Sequence, residues 1–205
     1  SCFGGKAPVR PEAAGAGRRM NMRVITGSAG GRRLRELEGL ETRPTTDRVK
    51  EGLFSAIQFD IKGEVLDLFA GTGQLGLEAL SRGAEHCVFC DNAATSCAIV
   101  KENVKRTKSE DRATVLNVDY KRYLKHDADR VFDVVFIDPP YASGLSDKAL
   151  SYLADGELLS DDAVVVLECD SADKKPEEIG KLVLRKRYTF SGVSFLVYIK
   201  RKENE

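Results

Sequence analysis

The stretch Val65-Leu66-Asp67-Leu68-Phe69-Ala70-Gly71-Thr72-Gly73-Gln74-Leu75-Gly76 decides the fold of this 205-residue chain. Its apolar run, Val65 to Phe69, reads as a short strand buried on both faces, and Ala70-Gly71 breaks it into a glycine loop. Leu75 to Leu80 then reads as the start of a helix. Strand, glycine turn and helix in that order build a ligand crevice at the carboxyl edge of a parallel sheet. Gly71 and Gly73 let the backbone turn tightly and approach a ligand that a β-carbon would push away.

Downstream, strand and helix patterns alternate. His86–Cys90 forms a second strand ending at Asp91, and Ala93–Val104 a helix. Ala113–Val118 forms a third strand ending at Asp119-Tyr120, with a short helix over Lys121–Lys125. Val131–Asp138 is the fourth strand, followed at once by Pro139-Pro140-Tyr141; Leu145–Leu153 is a helix and Ala163–Cys169 a fifth strand. Leu182–Thr189 and Val193–Lys200 flank a turn at Ser191-Gly192 and read as a closing hairpin. The pattern predicts an α/β protein with a doubly wound, mostly parallel seven-stranded sheet and a C-terminal antiparallel hairpin.

Upstream, Met22–Thr26 and Arg32–Leu37 flank a glycine-rich turn, so a small N-terminal β-hairpin is expected. Pro44 precedes Thr46 and Asp47, either of which can cap a helix running through Val49, Leu53, Phe54 and Ile57. The chain divides into a disordered leader or tag remnant (1–19), a basic extension (20–59) and the main domain (60–205).

Composition narrows the class. The chain is 42% hydrophobic, with no apolar run near the roughly 18 residues a membrane span needs. Its first twenty residues lack the apolar centre of a secretory signal, so a cytoplasmic location is expected. No heptad pattern demands an oligomer, and a monomer is expected. Net charge is zero, yet residues 18–50 carry nine basic and four acidic side chains, a net +5. Such a basic end suggests a polyanion partner such as nucleic acid, or else a merely solubilising face. The five cysteines are odd in number and irregularly spaced, unlike a disulfide framework. Cys87-x-x-Cys90 after His86 hints at zinc, but no second Cys/His pair completes a tetrahedral site, so no metal is expected.

Gly71-Thr72-Gly73-Gln74-Leu75-Gly76 satisfies G-x-G-x-x-G, and Asp91 stands 18 residues beyond Gly73, where a dinucleotide site places its ribose acid. Asp67 inside the first strand argues against a diphosphate, and a single small domain leaves no place for a hydride acceptor. An anionic rim of Asp67, Asp91 and Asp119 suits a cofactor with a cationic centre, such as S-adenosylmethionine. In Asp138-Pro139-Pro140-Tyr141, a carboxylate and a backbone carbonyl can accept both hydrogens of an exocyclic amine. The two prolines stiffen the turn and remove competing donors. The aromatic ring can stack on a base swung out of its helix.

The segments MRVITG, GGRRLRE, TRPTTDRVKEGLF, VLDLFAGTGQLGLEALSRGA and FDVVFIDPPY together resemble the RsmD family, from about Met22 through Tyr141. Those are bacterial small-subunit ribosomal RNA guanine-N2 methyltransferases that use S-adenosylmethionine. The resemblance implies a Rossmann-like class I methyltransferase domain acting on the small ribosomal subunit or its 16S rRNA. It places Asp67, Phe69, Ala70, Gly71, Thr72 and Gly73 along the cofactor, Asp91 and Asn92 at its ribose, and Asp119 and Tyr120 near its adenine. Thr46 and Arg48 border its methionine end, and Asp138, Pro139, Pro140 and Tyr141 hold the target base. Arg23, Arg32, Arg33, Arg35, Arg43 and Lys50 would track RNA phosphates. The chain departs from the family pattern at Cys90-Asp91-Asn92, where a glutamate often precedes the acid. From the residues alone an N6-adenine methyltransferase, a nicotinamide oxidoreductase and a non-catalytic RNA-binding module stay open.

Overall fold

In the computed structural model the described residues are 22–37, 47–140, 143–190 and 192–201. The leader, Arg43, Thr46, Tyr141 and the Ser191 turn residue lie outside them. Four apolar parallel strands set the centre: β1 (Glu64–Asp67), β2 (His86–Asp91), β4 (Phe132–Ile137) and β5 (Leu159–Asp170). Their side chains are buried on both faces, as continuous runs such as VVFI and AVVVL require. β3 (Ala113–Asn117) pairs with β2 alone and is only half-buried.

Among the described residues the sheet has eight strands in the order β3-β2-β1-β4-β5-β8-β7-β6. One more strand than expected arises from β6 (Glu178–Ile179), two residues that pair with the start of β7 (Leu182–Phe190). β8 (Val193–Lys200) lies antiparallel between β5 and β7, which gives the closing hairpin. Strand order reverses between β1 and β4, so their carboxyl ends open the crevice in which doubly wound sheets bind ligands.

Alternate residues divide the core. Val65, Phe89, Phe136 and Val166 face α1 (Asp47–Ala56), α2 (Gln74–Ser81) and α3 (Ala94–Thr107), meeting Leu53, Phe54, Leu77 and Val100. Leu66, Val88, Val135 and Leu167 face the other side, meeting Leu150 and Leu153 of α5 (Leu145–Asp155). There Tyr120 and Tyr123 come from α4 (Tyr120–Arg122) and the π-helical turn Tyr123–Asp127, which stand where a short helix was expected.

The N-terminal arm forms the expected hairpin in a short form: Val24 N donates to Arg32 O (3.0 Å), Gly31 N to Val24 O (2.8 Å) and Leu34 N to Met22 O (2.8 Å), around an antiparallel bridge between Arg23 and Arg33. Buried side chains of the helices bind more of its backbone. Glu78 of α2, with no exposure, accepts from Ile25 N (2.7 Å) and Thr26 N (3.1 Å), and from Arg82 Nε (2.7 Å). Ser81 Oγ accepts from Ala29 N (2.9 Å) and donates to Thr26 O (2.5 Å). Gly27 has φ +82°, and a β-carbon there would run into the Ser81 carbonyl. Asn103 of α3 accepts from Arg35 N (2.6 Å) and donates to Arg35 O (3.0 Å) and to Thr72 O (2.9 Å), so one carboxamide joins the arm to the glycine loop. These buried polar groups are all paired, as burial demands.

Candidate active site

A cleft of about 560 Å³ opens at the carboxyl ends of β1, β2, β4 and β5. Its wall contains Asp67, Phe69, Ala70, Gly71, Thr72, Asp91, Asn92, Asp119 and Tyr120 from the expected cofactor set, together with Asp138, Pro139 and Pro140. Gly73 is turned away: its φ of +80° starts α2, and its α-carbon packs toward Val100 and Phe89. Arg48 is an exposed residue of α1 outside the cleft wall. Thr46 and Tyr141 fall outside the described residues.

The acids play different structural parts. Asp91, at the end of β2, accepts from Gly71 N through Oδ2 (2.9 Å) and from Ala93 N through Oδ1 (2.8 Å). Its carboxylate therefore fixes both the glycine loop and the entry to α3. Asp119 caps α4, accepting from Lys121 N (2.9 Å) and Arg122 N (3.2 Å) through Oδ1. Beside it the Tyr120 ring leans on Phe69, with centroids 5.2 Å apart. These two acids are held by backbone N–H groups.

Asp67 is buried and accepts from Gly76 N (3.0 Å). Burial is the main cause that pushes its pKa up to about 7; the Gly76 bond opposes the rise and Asp91 adds to it. Asp138 is raised well above the ordinary carboxylate range, again chiefly by burial, then by Glu168 and Asp67. Glu168 of β5 is 7% exposed and lines the same cleft, a residue the sequence reading missed. Its signal was a lone acid inside the apolar run AVVVLEC, since a charge in a buried strand is costly unless the site needs it. Gln74, Met22 and Leu37 also line the cleft unforeseen, and Gln74 Oε1 is buried there with no hydrogen-bond partner among the described residues.

The expected RNA-contacting cations are largely engaged within the fold. Lys50, 1% exposed, donates to Arg23 O (2.6 Å), and burial lowers its pKa. It anchors the arm from inside and is not placed to meet a phosphate, a correction to its expected role. Arg23 pairs with Asp47 (2.8 Å), Arg35 with Glu102 (2.5 Å), and Arg32 donates to Arg106 O (2.7 Å). Arg33 is exposed, and Arg43 lies outside the described residues. Cys87 and Cys90 pack on opposite faces of the sheet, while His86 meets Glu64, Arg130 and Thr114, so the three do not converge. Among the described residues no helix is long and apolar enough to cross a membrane.

This strand order, with an acid-lined cleft at the β1/β4 switch point and an antiparallel pair closing the sheet, defines a class I methyltransferase fold. A structure from Escherichia coli described as a candidate methyltransferase, yhhF, superposes with a TM-score of 0.80 at 29% identity, covering 89% of this chain and 99% of that one. The family model for conserved hypothetical protein 95 matches residues 22–199, and the chain belongs to that family, the RsmD family. A Bacillus subtilis relative named as a candidate rRNA methyltransferase, YlbH, is 41% identical over 88% of this chain and all of its own length. Ribosomal RNA small subunit methyltransferase D of Haemophilus influenzae is 37% identical over 86% of this chain and 93% of its own.

Proposed function

We propose that this chain transfers a methyl group from S-adenosylmethionine to the exocyclic N2 amine of one guanine in small-subunit (16S) ribosomal RNA. The observation that carries the reading is the meeting, in one cleft, of Asp138-Pro139-Pro140 with the strand-end acids Asp67, Asp91 and Asp119. The similarity to relatives named as rRNA methyltransferases supports the substrate class.

The cleft residues fit that cofactor. Its volume is in the range of pockets that enclose a molecule of this size. The acids suit a sulfonium and an ammonium group, and Gln74 Oε1 offers a buried acceptor awaiting a donor. Asp91 keeps lone pairs for a ribose diol after serving Gly71 and Ala93, and Phe69, Asp119 and Tyr120 would border an adenine. When bound, S-adenosylmethionine supplies an electrophilic methyl group on sulfur.

The chain's own residues then prepare the nucleophile. An aryl amine is weak because its lone pair is delocalised into the ring. The Asp138 carboxylate and the Pro139 carbonyl would accept its two hydrogens and localise that pair toward the methyl carbon. As the N–C bond forms, the methyl–sulfur bond would break with its electron pair going to sulfur, leaving S-adenosylhomocysteine, and Asp138 would accept the proton the amine gives up. The exposed Arg33 and Arg48 would meet phosphates beside the cleft, with 20–59 as the RNA-facing extension of the 60–205 methyltransferase domain. The reading makes the small subunit or its RNA the partner, the cytoplasm the location and a monomer the working form.

The test is radiolabelled transfer from S-adenosylmethionine to small subunits lacking the modification, followed by nucleoside separation. Label in N2-methylguanosine is expected. Label in N6-methyladenosine would keep the fold and overturn the base.

A further inference from the structure

The register of three adjacent strands sets a row of carboxylates into the cleft. Asp67 of β1 pairs with Phe136 of β4, and Asp138 lies two residues beyond Phe136, on the same face. Ile137 pairs with Leu167 of β5, so the next step of that parallel register brings Asp138 beside Glu168. Neighbouring strands run about 4.8 Å apart, which puts the two carboxyl groups within reach of one planar base edge. Both line the cleft, and Glu168 is nearly buried.

We propose that Glu168 is the residue that selects guanine, its carboxylate accepting the base's N1–H while Asp138 accepts from the neighbouring N2 amine. The inference rests on the guanine-N2 reading and gives that site its means of choice. The Asp-Pro-Pro turn by itself suits any exocyclic amine. Guanine alone among the four RNA bases carries a ring N–H donor adjacent to its amine; adenine and cytosine present a ring nitrogen lone pair there. A carboxylate facing that lone pair is repulsive, so the same acid that rewards guanine rejects the other two amines. A well-placed polar contact of this kind discriminates by about 1–3 kcal/mol, or roughly ten- to a hundredfold. Proximity to Asp138 also agrees with the upward pull that Glu168 exerts on the Asp138 proton.

The test compares three acceptors in the RNA, placed at the site of label: guanine, adenine and 2-aminopurine, which keeps the N2 amine but has a lone pair at N1. The wild-type enzyme is expected to prefer guanine over 2-aminopurine by about ten- to a hundredfold in kcat/KM. Glu168→Gln should lower guanine transfer and shrink that preference to under about threefold, because a carboxamide can turn either a donor or an acceptor toward N1. Cofactor affinity, measured by calorimetry, should change less than transfer to guanine does. Glu168→Asp, which keeps the charge on a shorter stem, should retain the preference with weaker transfer and guards against a folding defect in the first variant. An undiminished preference in Glu168→Gln, or a lost one in Glu168→Asp, would overturn the inference while leaving the guanine reading intact. Wild-type label on adenine would instead remove the guanine reading, and this inference with it.

Discussion

The two halves of the cleft handle their acids in opposite ways. On the β2–β3 side, Asp91 and Asp119 are each held by two backbone N–H groups, so their charges are answered locally. On the β1–β4–β5 side, Asp67, Asp138 and Glu168 line one buried stretch of the cleft, and Asp138, raised first by burial, also bears the like charge of Glu168 and Asp67. The first half is built before a ligand arrives. The second holds charge that a cationic cofactor and a donor-bearing base would relieve, a contrast that fits the proposed placing of the sugar on one side and the chemistry on the other.

The largest effect should come from breaking the crowded half. Asp138→Ala is expected to lower methyl transfer by about a thousandfold while calorimetric binding of S-adenosylmethionine survives, since the amine loses its acceptor. Full activity in that variant would end the proposed mechanism. Asp91→Ala attacks the ordered half and should do the reverse kind of damage. Gly71 N and Ala93 N lose their acceptor, so cofactor affinity should fall about ten- to a hundredfold and thermal stability should fall with it.

A pH series sharpens the comparison further. Asp67 holds its proton to about pH 7 in the folded protein against 3.8 for the ordinary group. The folded state binds that proton more tightly than the unfolded chain does. The ligand-free protein should therefore be favoured at acid pH and lose that margin as pH rises from about 4 through about 7. Asp138 acts in the same sense. Urea denaturation across that range should show the decline, and Asp67→Asn should flatten it. The smallest effect lies outside the cleft. Arg33→Ala and Arg48→Ala should each weaken RNA association a few-fold and reduce the salt slope by about one, with cofactor binding unchanged.

The parts of the site that could be read in advance are those built from consecutive residues. Val65–Gly76 carries strand, loop and helix in one run, and Asp138-Pro139-Pro140 ends its own strand, so local chemistry sufficed for both. Glu168 joins Asp138 only through the pairing of β4 with β5, a relation no single stretch contains. Charge was legible in amount but not in direction. Lys50 and Arg33 belong to the same basic segment, yet one is sealed beneath the arm and the other faces solvent. The pairing of the arm's limbs is legible in their alternation around a glycine-rich turn. Their attachment to Glu78, an acid within an apolar helix, and to Ser81 and Asn103 is not. A glutamate with no exposure inside LGLEALS was the available clue to that attachment.

That attachment also dictates an order of assembly during synthesis. The groups that hold the arm lie 53 residues (Ile25 to Glu78), 52 residues (Ala29 to Ser81) and 68 residues (Arg35 to Asn103) further along the chain. Residues 22–37 therefore emerge from the ribosome before those groups exist, and their attachment is complete only after α2 and α3 have been made. Because Asn103 also grips Thr72 O, the wall of the cleft is completed together with a segment that is translated before the helices that seat it.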